Sequence, residues 1–342
     1  MPPAGSRKRS LVLTACLFAL ALLVLVVVGA PTASAQPQVI ATVAVGDDPR
    51  GVGVNPDTNR IYVANRLSHN VSVIDGSTNS VIATVAVGTQ PWGVRVNPDT
   101  NRIYVANYIS DNVSIVDGAT NSVTATVTVG ESPVGVGVNP TTNRIYVANY
   151  TSGNVSVIDG ATNTVIATVA VGVGSDPWGV GVNPDTNRVY VANIDSNNVS
   201  VIDGATNSVI ATVAVGVGTD PCSVGVNPDT NRIYVANYIS GNVSVIDGAT
   251  NSVTATVTVG DWPVGVGVNP TTKRIYVSNS GSHNVSVIEH LDSAADAVGG
   301  IAELPEVSDS LAPSWLGVAA LGAAALVAFG AGGWYARRRR LG

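Results

Sequence analysis

The sequence predicts an all-β protein, a six-bladed β-propeller of four-stranded blades closed by its own N-terminal strand. Three observations predict it. Asn-Pro recurs at Asn55, Asn97, Asn139, Asn183, Asn227 and Asn269, with spacings of 42, 42, 44, 44 and 42 residues. A period of 40–50 residues with four strand-like runs per unit is the mark of a propeller. The runs are β-branched, and outside the two ends the chain lacks the Ala, Leu, Glu, Lys and Met mix of long helices. Finally, the first, second and third runs each occur six times, whereas the earliest fourth run, Val39–Val45, precedes every other strand. No fourth run follows the last unit, so the N-terminal strand is expected to complete the last blade and close the ring.

The elements follow in order from the N-terminus. Residues 1–35 read as a secretory signal: Arg7, Lys8 and Arg9 form the positive region and Leu11 to Ala30 the apolar core. Ala33-Ser34-Ala35 is a cleavage site before Gln36. The apolar run is long enough to span a bilayer, so an uncleaved anchor helix is the alternative. Leu13-Thr14-Ala15-Cys16 resembles a lipoprotein box, but the apolar run continues past the Cys.

Residues 36–290 are the propeller. In its second unit the runs are Gly93–Val96, Arg102–Ala106, Asn112–Asp117 and Val123–Val129. Asn97-Pro98-Asp99-Thr100-Asn101 joins the first two, and Asp117-Gly118-Ala119-Thr120-Asn121 the last two. Pro, Asp, Asn and Gly at these places are turn chemistry suited to antiparallel hairpins. Residues 291–314 form an acidic Ala/Ser/Pro stalk. Its Leu304-Pro305-Glu306-Val307-Ser308 looks like a degraded sortase motif, which leaves wall attachment as a minor alternative. Residues 315–336 read as a transmembrane helix, with Trp315 at one edge and Trp334-Tyr335 at the other. Arg337 to Arg340, in the tail 337–342, mark the cytoplasmic side.

Composition excludes several classes. The chain carries 17 basic and 23 acidic residues, and seven of the basic ones sit in the two terminal clusters. The middle therefore keeps 10 basic residues against 23 acidic ones, a net charge of −13. A nucleic-acid partner would need a basic stripe, and none is present. Cys16 and Cys222 are the only cysteines. With the first removed by processing, a disulfide framework and a zinc knuckle are both excluded.

Tyr62-Val63-Ala64-Asn65 recurs at Tyr104–Asn107, Tyr146–Asn149, Tyr190–Asn193 and Tyr234–Asn237, then as Tyr276-Val277-Ser278-Asn279. With the Asn-Pro turn and the Val-Ile-Asp-Gly segment, the body resembles the YVTN β-propeller repeat family over residues 39–290. That resemblance implies a propeller, a prokaryotic cell-surface or surface-layer location and a binding role. It implies no catalytic residues and no cofactor. Family propellers often have seven blades, and six is a departure.

The six copies differ from one another chiefly in two loop sets. The inter-blade loops carry Asp47-Asp48-Pro49-Arg50, Gln90-Pro91-Trp92, Ser132-Pro133-Val134, Asp176-Pro177-Trp178, Asp220-Pro221-Cys222 and Asp261-Trp262-Pro263. The loops after Tyr-Val-Ala-Asn carry Arg66 and His69, Tyr108 and Asp111, Tyr150, Asp195, Tyr238, and His283. Variable loops on a rigid scaffold are where binding concentrates, and Trp, Tyr and Arg are its usual anchors. The candidate ligand-binding residues are therefore Arg50, Arg66, His69, Trp92, Tyr108, Tyr150, Trp178, Tyr238, Trp262 and His283. Arg95 joins them because it replaces a glycine of the other first strands. His69 and His283 occupy equivalent places in the first and last blades, the one place where a catalytic cluster would form. The six Asn-Val-Ser triplets and Asn149-Tyr150-Thr151 match the glycosylation acceptor because the repeat recurs.

The expectation is a non-catalytic, surface-anchored binding or adhesion scaffold for a protein or glycan, without metal or cofactor. It would be held to the membrane by the C-terminal helix, with self-assembly open. The alternatives are a structural surface-layer subunit and a propeller hydrolase or lyase of the sugar-lactonase type.

Overall fold

A computed structural model describes residues 40–289, other than 173, 217 and 218. The signal, the stalk, the transmembrane helix and the basic tail lie outside the described residues. Among the described residues no helix is long and apolar enough to cross a membrane. The fold is an all-β six-bladed propeller. Five sheets have four strands each: β1–β4, β5–β8, β9–β12, β13–β16 and β17–β20. The sixth has three, β21–β23. Chain contacts divide the protein into two compact units, Met1–Val224 and Gly225–Gly342. The first holds the first four blades, and the boundary falls inside β17 (Pro221–Asn227).

The second blade shows how the repeat folds. It runs β5 (Pro91–Asn97), β6 (Arg102–Asn107), β7 (Asn112–Asp117) and β8 (Ser122–Thr128). All neighbours are antiparallel, with Tyr104 opposite Arg95 on one side and Ile115 on the other. The first strand begins two residues before its expected start, because Pro91 pairs with Asn107 beyond a bulge that ends at Val94. Side chains alternate across the strand, and both faces are covered. Ile103 and Val105 face back into a cluster with Tyr62 and Ala64 of the first blade. Tyr104 and Ala106 face forward onto Val136, Ile145 and Val147 of the third blade. The second unit repeats this layer with Tyr234, Val243 and Val245 against Ile275 and Val277.

The invariant polar residues are also structural. Asn107 is buried, and its side-chain amide donates to Asn112 Oδ1 at 2.8 Å and Ser114 Oγ at 2.9 Å. In the first unit, Asn97 Nδ2 donates to Asn143 Oδ1 of the following blade at 2.9 Å, and Arg102 donates to the Gly160 carbonyl at 2.6 Å. The unvarying loops are thus the ties between blades.

The Asp-Gly-Ala-Thr-Asn loop is a turn, as its composition suggests. Asp117 Oδ1 accepts from the backbone N–H groups of Ala119 and Thr120, both at 2.9 Å. Asn121 closes it in the left-handed region at φ 53°. The same bonds hold the carboxyls of Asp75, Asp117, Asp159, Asp203 and Asp247 below the ordinary value, with the Thr N–H the first cause in each. A carboxyl depressed in the folded state stabilises it above the unfolded pKa, and that contribution is lost as pH falls through the folded pKa. The melting temperature should therefore hold level from pH 7 to about 5 and drop below about pH 4. Asp117→Asn, which keeps the acceptor and removes the titration, should soften the acid side of the curve. A melting temperature independent of pH down to 2 would contradict this origin.

One expectation is corrected. Residues 40–45 form no strand, Ile40 is 81% exposed, and among the described residues the sheet of β21, β22 (Arg274–Asn279) and β23 (Asn284–Glu289) has three strands. The reason lies in local chemistry. Five blades receive their fourth strand through a tight Asp-Gly hairpin turn, but after β23 the chain reads Glu289-His290. The sequence there lacks the turn residues, and a strand from the distant N-terminus must meet a larger loop-closure cost.

Candidate functional site

The variable loops are joined in pairs by backbone bonds. The residue before each inter-blade proline has positive φ: Asp48, Gln90, Ser132, Asp176, Asp220 and Trp262. That conformation aims its carbonyl at the loop after Tyr-Val-Ala-Asn. Arg66 N–H donates to the Asp48 carbonyl at 3.0 Å, Tyr108 N–H to Gln90 at 2.9 Å and Tyr150 N–H to Ser132 at 3.0 Å. Serine hydroxyls reinforce the pairing, with Ser110 Oγ accepting from Thr89 N–H at 2.7 Å. Each blade therefore offers its two variable loops as one surface.

In the first unit these surfaces bring six of the expected residues together. Trp92 and Trp178 meet edge to face, with centroids 5.4 Å apart and planes at 87°. Tyr108 lies 5.7 Å from Trp92, and Tyr150 lies 5.5 Å from Trp178. The guanidinium carbons of Arg50 and Arg66 stand 4.8 and 5.6 Å from the Trp92 ring centroid, within cation–π range. Asp48 bridges the two cations, contacting Arg50 Nε at 3.0 Å and hydrogen-bonding Arg66 Nε. Arg66 beside it, with help from Arg50, holds the Asp48 carboxyl below its usual range against an opposing desolvation.

The same unit carries acidic residues along the row. Partial desolvation raises Asp195, and the like charges of Asp176 and Asp220 add to it. Desolvation also raises the Tyr150 phenol, with Asp176 and Asp195 contributing. The row thus presents guanidinium groups, then aromatic rings, then carboxylates. The four rings also pack on the core beneath them, beside Tyr146 and Val180.

Other candidates fall elsewhere. His69 is a loop-holding residue: its Nδ1 accepts from Gln90 N–H at 3.1 Å. Asp111 does the same for Ser132 at 2.8 Å, and Asn197 for Thr219 at 2.6 Å. Arg95, on β5, has its guanidinium 3.3 Å from the Val94 carbonyl. Arg95 is exposed, and partial desolvation by the surrounding protein lowers its pKa. Burial pushes the Cys222 thiol up to about 12, which leaves it protonated and inert at neutral pH.

In the second unit, Tyr238 and Trp262 stack with centroids 6.0 Å apart and planes at 23°. His283 is exposed on the last blade with φ 54°. Among the described residues no group of three or more His, Cys, Asp or Glu stands close enough to hold a metal.

Sequence reasoning missed Asp48 as the bridge that orders Arg50 and Arg66, and Asp176 and Asp220 as charges on the row. The available signal was their shared place before the inter-blade proline, where a short polar side chain tolerates positive φ.

No curated protein matches the chain. Among solved structures it is similar to a chain of Kuenenia stuttgartiensis hydrazine synthase, at 20% identity and a TM-score of 0.51. The match covers 74% of this chain and 99% of that one, and at that identity it shows the fold alone. A family model for the YNCE-like beta-propeller matches residues 99–298, more than half of the 342 residues. The repeat, the sheets and this match agree, and the chain belongs to the YNCE-like β-propeller family.

Proposed function

We propose that this propeller is a non-catalytic binding scaffold that engages a protein or glycan through its variable loops, displayed at the cell surface on the C-terminal helix. The observation that carries the reading is the row of Arg50, Arg66, Trp92, Tyr108, Trp178 and Tyr150. Aromatic rings and guanidinium groups gathered on rigid loops are the usual anchors of recognition. The non-catalytic part draws support from His69, whose Nδ1 is engaged by a backbone N–H, and from the protonated Cys222 thiol. The surface part rests on the paired signal and terminal apolar segment of the sequence.

One experiment on intact cells tests both parts. Cells producing the full chain should bind a glycan array or partner cells, and external protease should abolish that binding. Trp92→Ala and Trp178→Ala should each weaken it by about tenfold, a little over 1 kcal/mol. Thr100→Ala and Thr120→Ala, in the unvarying loops, should leave it alone. Undiminished binding by both tryptophan variants would sink the assignment to the variable loops. Binding that survives external protease would sink the surface display.

A further inference from the structure

Trp262 differs from the other tryptophans of the body. Trp92 and Trp178 are half-buried, each already in contact with other rings. Trp262 is 52% exposed and has one ring neighbour, Tyr238, stacked on it. Its backbone is in the left-handed region at φ 53°. The five equivalent positions hold Asp48, Gln90, Ser132, Asp176 and Asp220, short or flexible polar residues. A bulky ring is an outlier in that conformation, and strain of this kind persists where a function needs the side chain.

The surroundings are shaped to receive something. A cavity of about 260 Å³ lies beside the ring, lined by Ile239, Ser240, Gly241, Asp261, Trp262 and Gly281. It is smaller than the usual pocket for a drug-sized ligand. Gly281 lets the indole lie close: a Cβ there would come within 3.0 Å of Trp262 Cδ2 and 2.9 Å of Asp261 Cβ. Gly241, at φ 60°, leaves the other part of the floor bare. The polar groups at hand are the Ser240 hydroxyl and the Asp261 carboxylate. The Ser282 hydroxyl accepts from Asp261 N–H at 2.7 Å and so fixes that residue's backbone.

We infer that this pocket is a subsite for one neutral pyranose ring of a glycan. The electron-rich face of an indole attracts the polarised C–H groups on the apolar face of a sugar. A carboxylate and a hydroxyl at its margin match vicinal sugar hydroxyls and fix the ring's orientation. The carboxylate also disfavours an acidic sugar by like-charge repulsion. The inference rests on the variable loops being a binding surface, and it narrows the ligand there to a glycan. An apolar side chain of a protein partner is the competing occupant.

The test uses the purified full chain in detergent, with tetramers of β-1,4-linked glucose and N-acetylglucosamine as probes and a tetragalacturonate as the acidic comparison. Saturation-transfer NMR should label the ring C–H protons of a neutral tetramer and leave the acidic one dark. Trp262→Asn suits the left-handed backbone, so it should fold with an unchanged or raised melting temperature and bind about tenfold more weakly. Thr120→Ala, in an unvarying loop, should retain the signal. No transfer to either neutral tetramer, or equal transfer in Trp262→Asn, overturns the inference. Capture of a protein partner that competes at this pocket, without any sugar signal, overturns it and leaves the wider reading standing. Loss of sugar binding in Trp262→Asn with cell binding unchanged in Trp92→Ala and Trp178→Ala upholds the subsite and defeats the row around Trp92 and Trp178 as the anchor.

Discussion

Tyr146→Ala is expected to destabilise the protein by about 3–5 kcal/mol, the range for deleting a large buried aromatic side chain. Tyr146 is wholly buried and sits in the layer between the third and fourth blades. Its neighbours there include Val180, Val189 and Val191 from the fourth blade, and β-branched side chains on paired strands cannot slide in to fill the space. The lost area and the residual cavity therefore add. Urea denaturation followed by far-UV circular dichroism would read the change as a lower midpoint. Tyr146→Phe keeps the ring and should cost about 1 kcal/mol or less. A Tyr146→Ala midpoint within about 1 kcal/mol of the parent would show that the blades re-pack and that the interlocking layer is not the source of stability. The same substitution bears on the binding surface, because Trp92, Tyr108, Tyr150 and Trp178 pack on this layer from above.

Gly135→Ala is expected to cost about 2–3 kcal/mol, the upper part of the range for forcing extra volume into a packed site. A Cβ at Gly135 would stand 2.0 Å from the Trp178 carbonyl oxygen and 3.1 Å from its carbonyl carbon. The obstacle is backbone, so no rotamer change relieves it. Gly93 shows the same approach one blade earlier, 2.2 Å from the Val134 carbonyl oxygen. These glycines let the first strands of consecutive blades run against each other, which is what a strand glycine often marks. Because the strand that must yield carries Trp178, Gly135→Ala should also disturb the aromatic row. Near-ultraviolet circular dichroism should report a changed tryptophan environment alongside the lower stability. Thr100→Ala, at an exposed position in an unvarying loop, is the comparison, and the change should fall within about 0.5 kcal/mol of the parent. Equal stability of the two variants would mean that the blades are free to separate at Gly135.

Much of this was legible in the residues, for reasons that can be named. The strands were readable because β-branched residues repeat in fixed order between turn signals. The observed β6 and β7, Arg102–Asn107 and Asn112–Asp117, differ from expectation by one residue at most. The Asp-Gly-Ala-Thr-Asn loop was readable because an Asp side chain that caps its own turn acts over two or three residues. Asn107 was visible as an invariant letter but not as a buried hub, since its partners Asn112 and Ser114 sit on the neighbouring strand. His69 read as a ligand-binding candidate; its bond to Gln90 N–H spans 21 residues. The strand at the N-terminus was the clearest failure. Residues 39–45 have the same sequence as 81–87, which include β4 (Ser80–Ala86), yet residues 40–45 are not a strand. Identical letters pair differently when one copy follows a hairpin turn and the other lies at the far end of the chain.

The sequence by itself determined what local chemistry controls: the period, the four-strand unit, the turns, and a Tyr-Val-Ala-Asn strand with apolar side chains on both faces. Only the tertiary structure decided which variable residues meet. Trp92 and Trp178 lie 86 residues apart and touch because the blades that carry them stack through glycine-spaced first strands. Trp262, in the same loop set, stays exposed beside its own cavity because it falls two places earlier, at the left-handed residue before proline. A two-residue shift in a loop is invisible to composition, but at that backbone angle it sends the side chain in a different direction, and contact or exposure follows from direction.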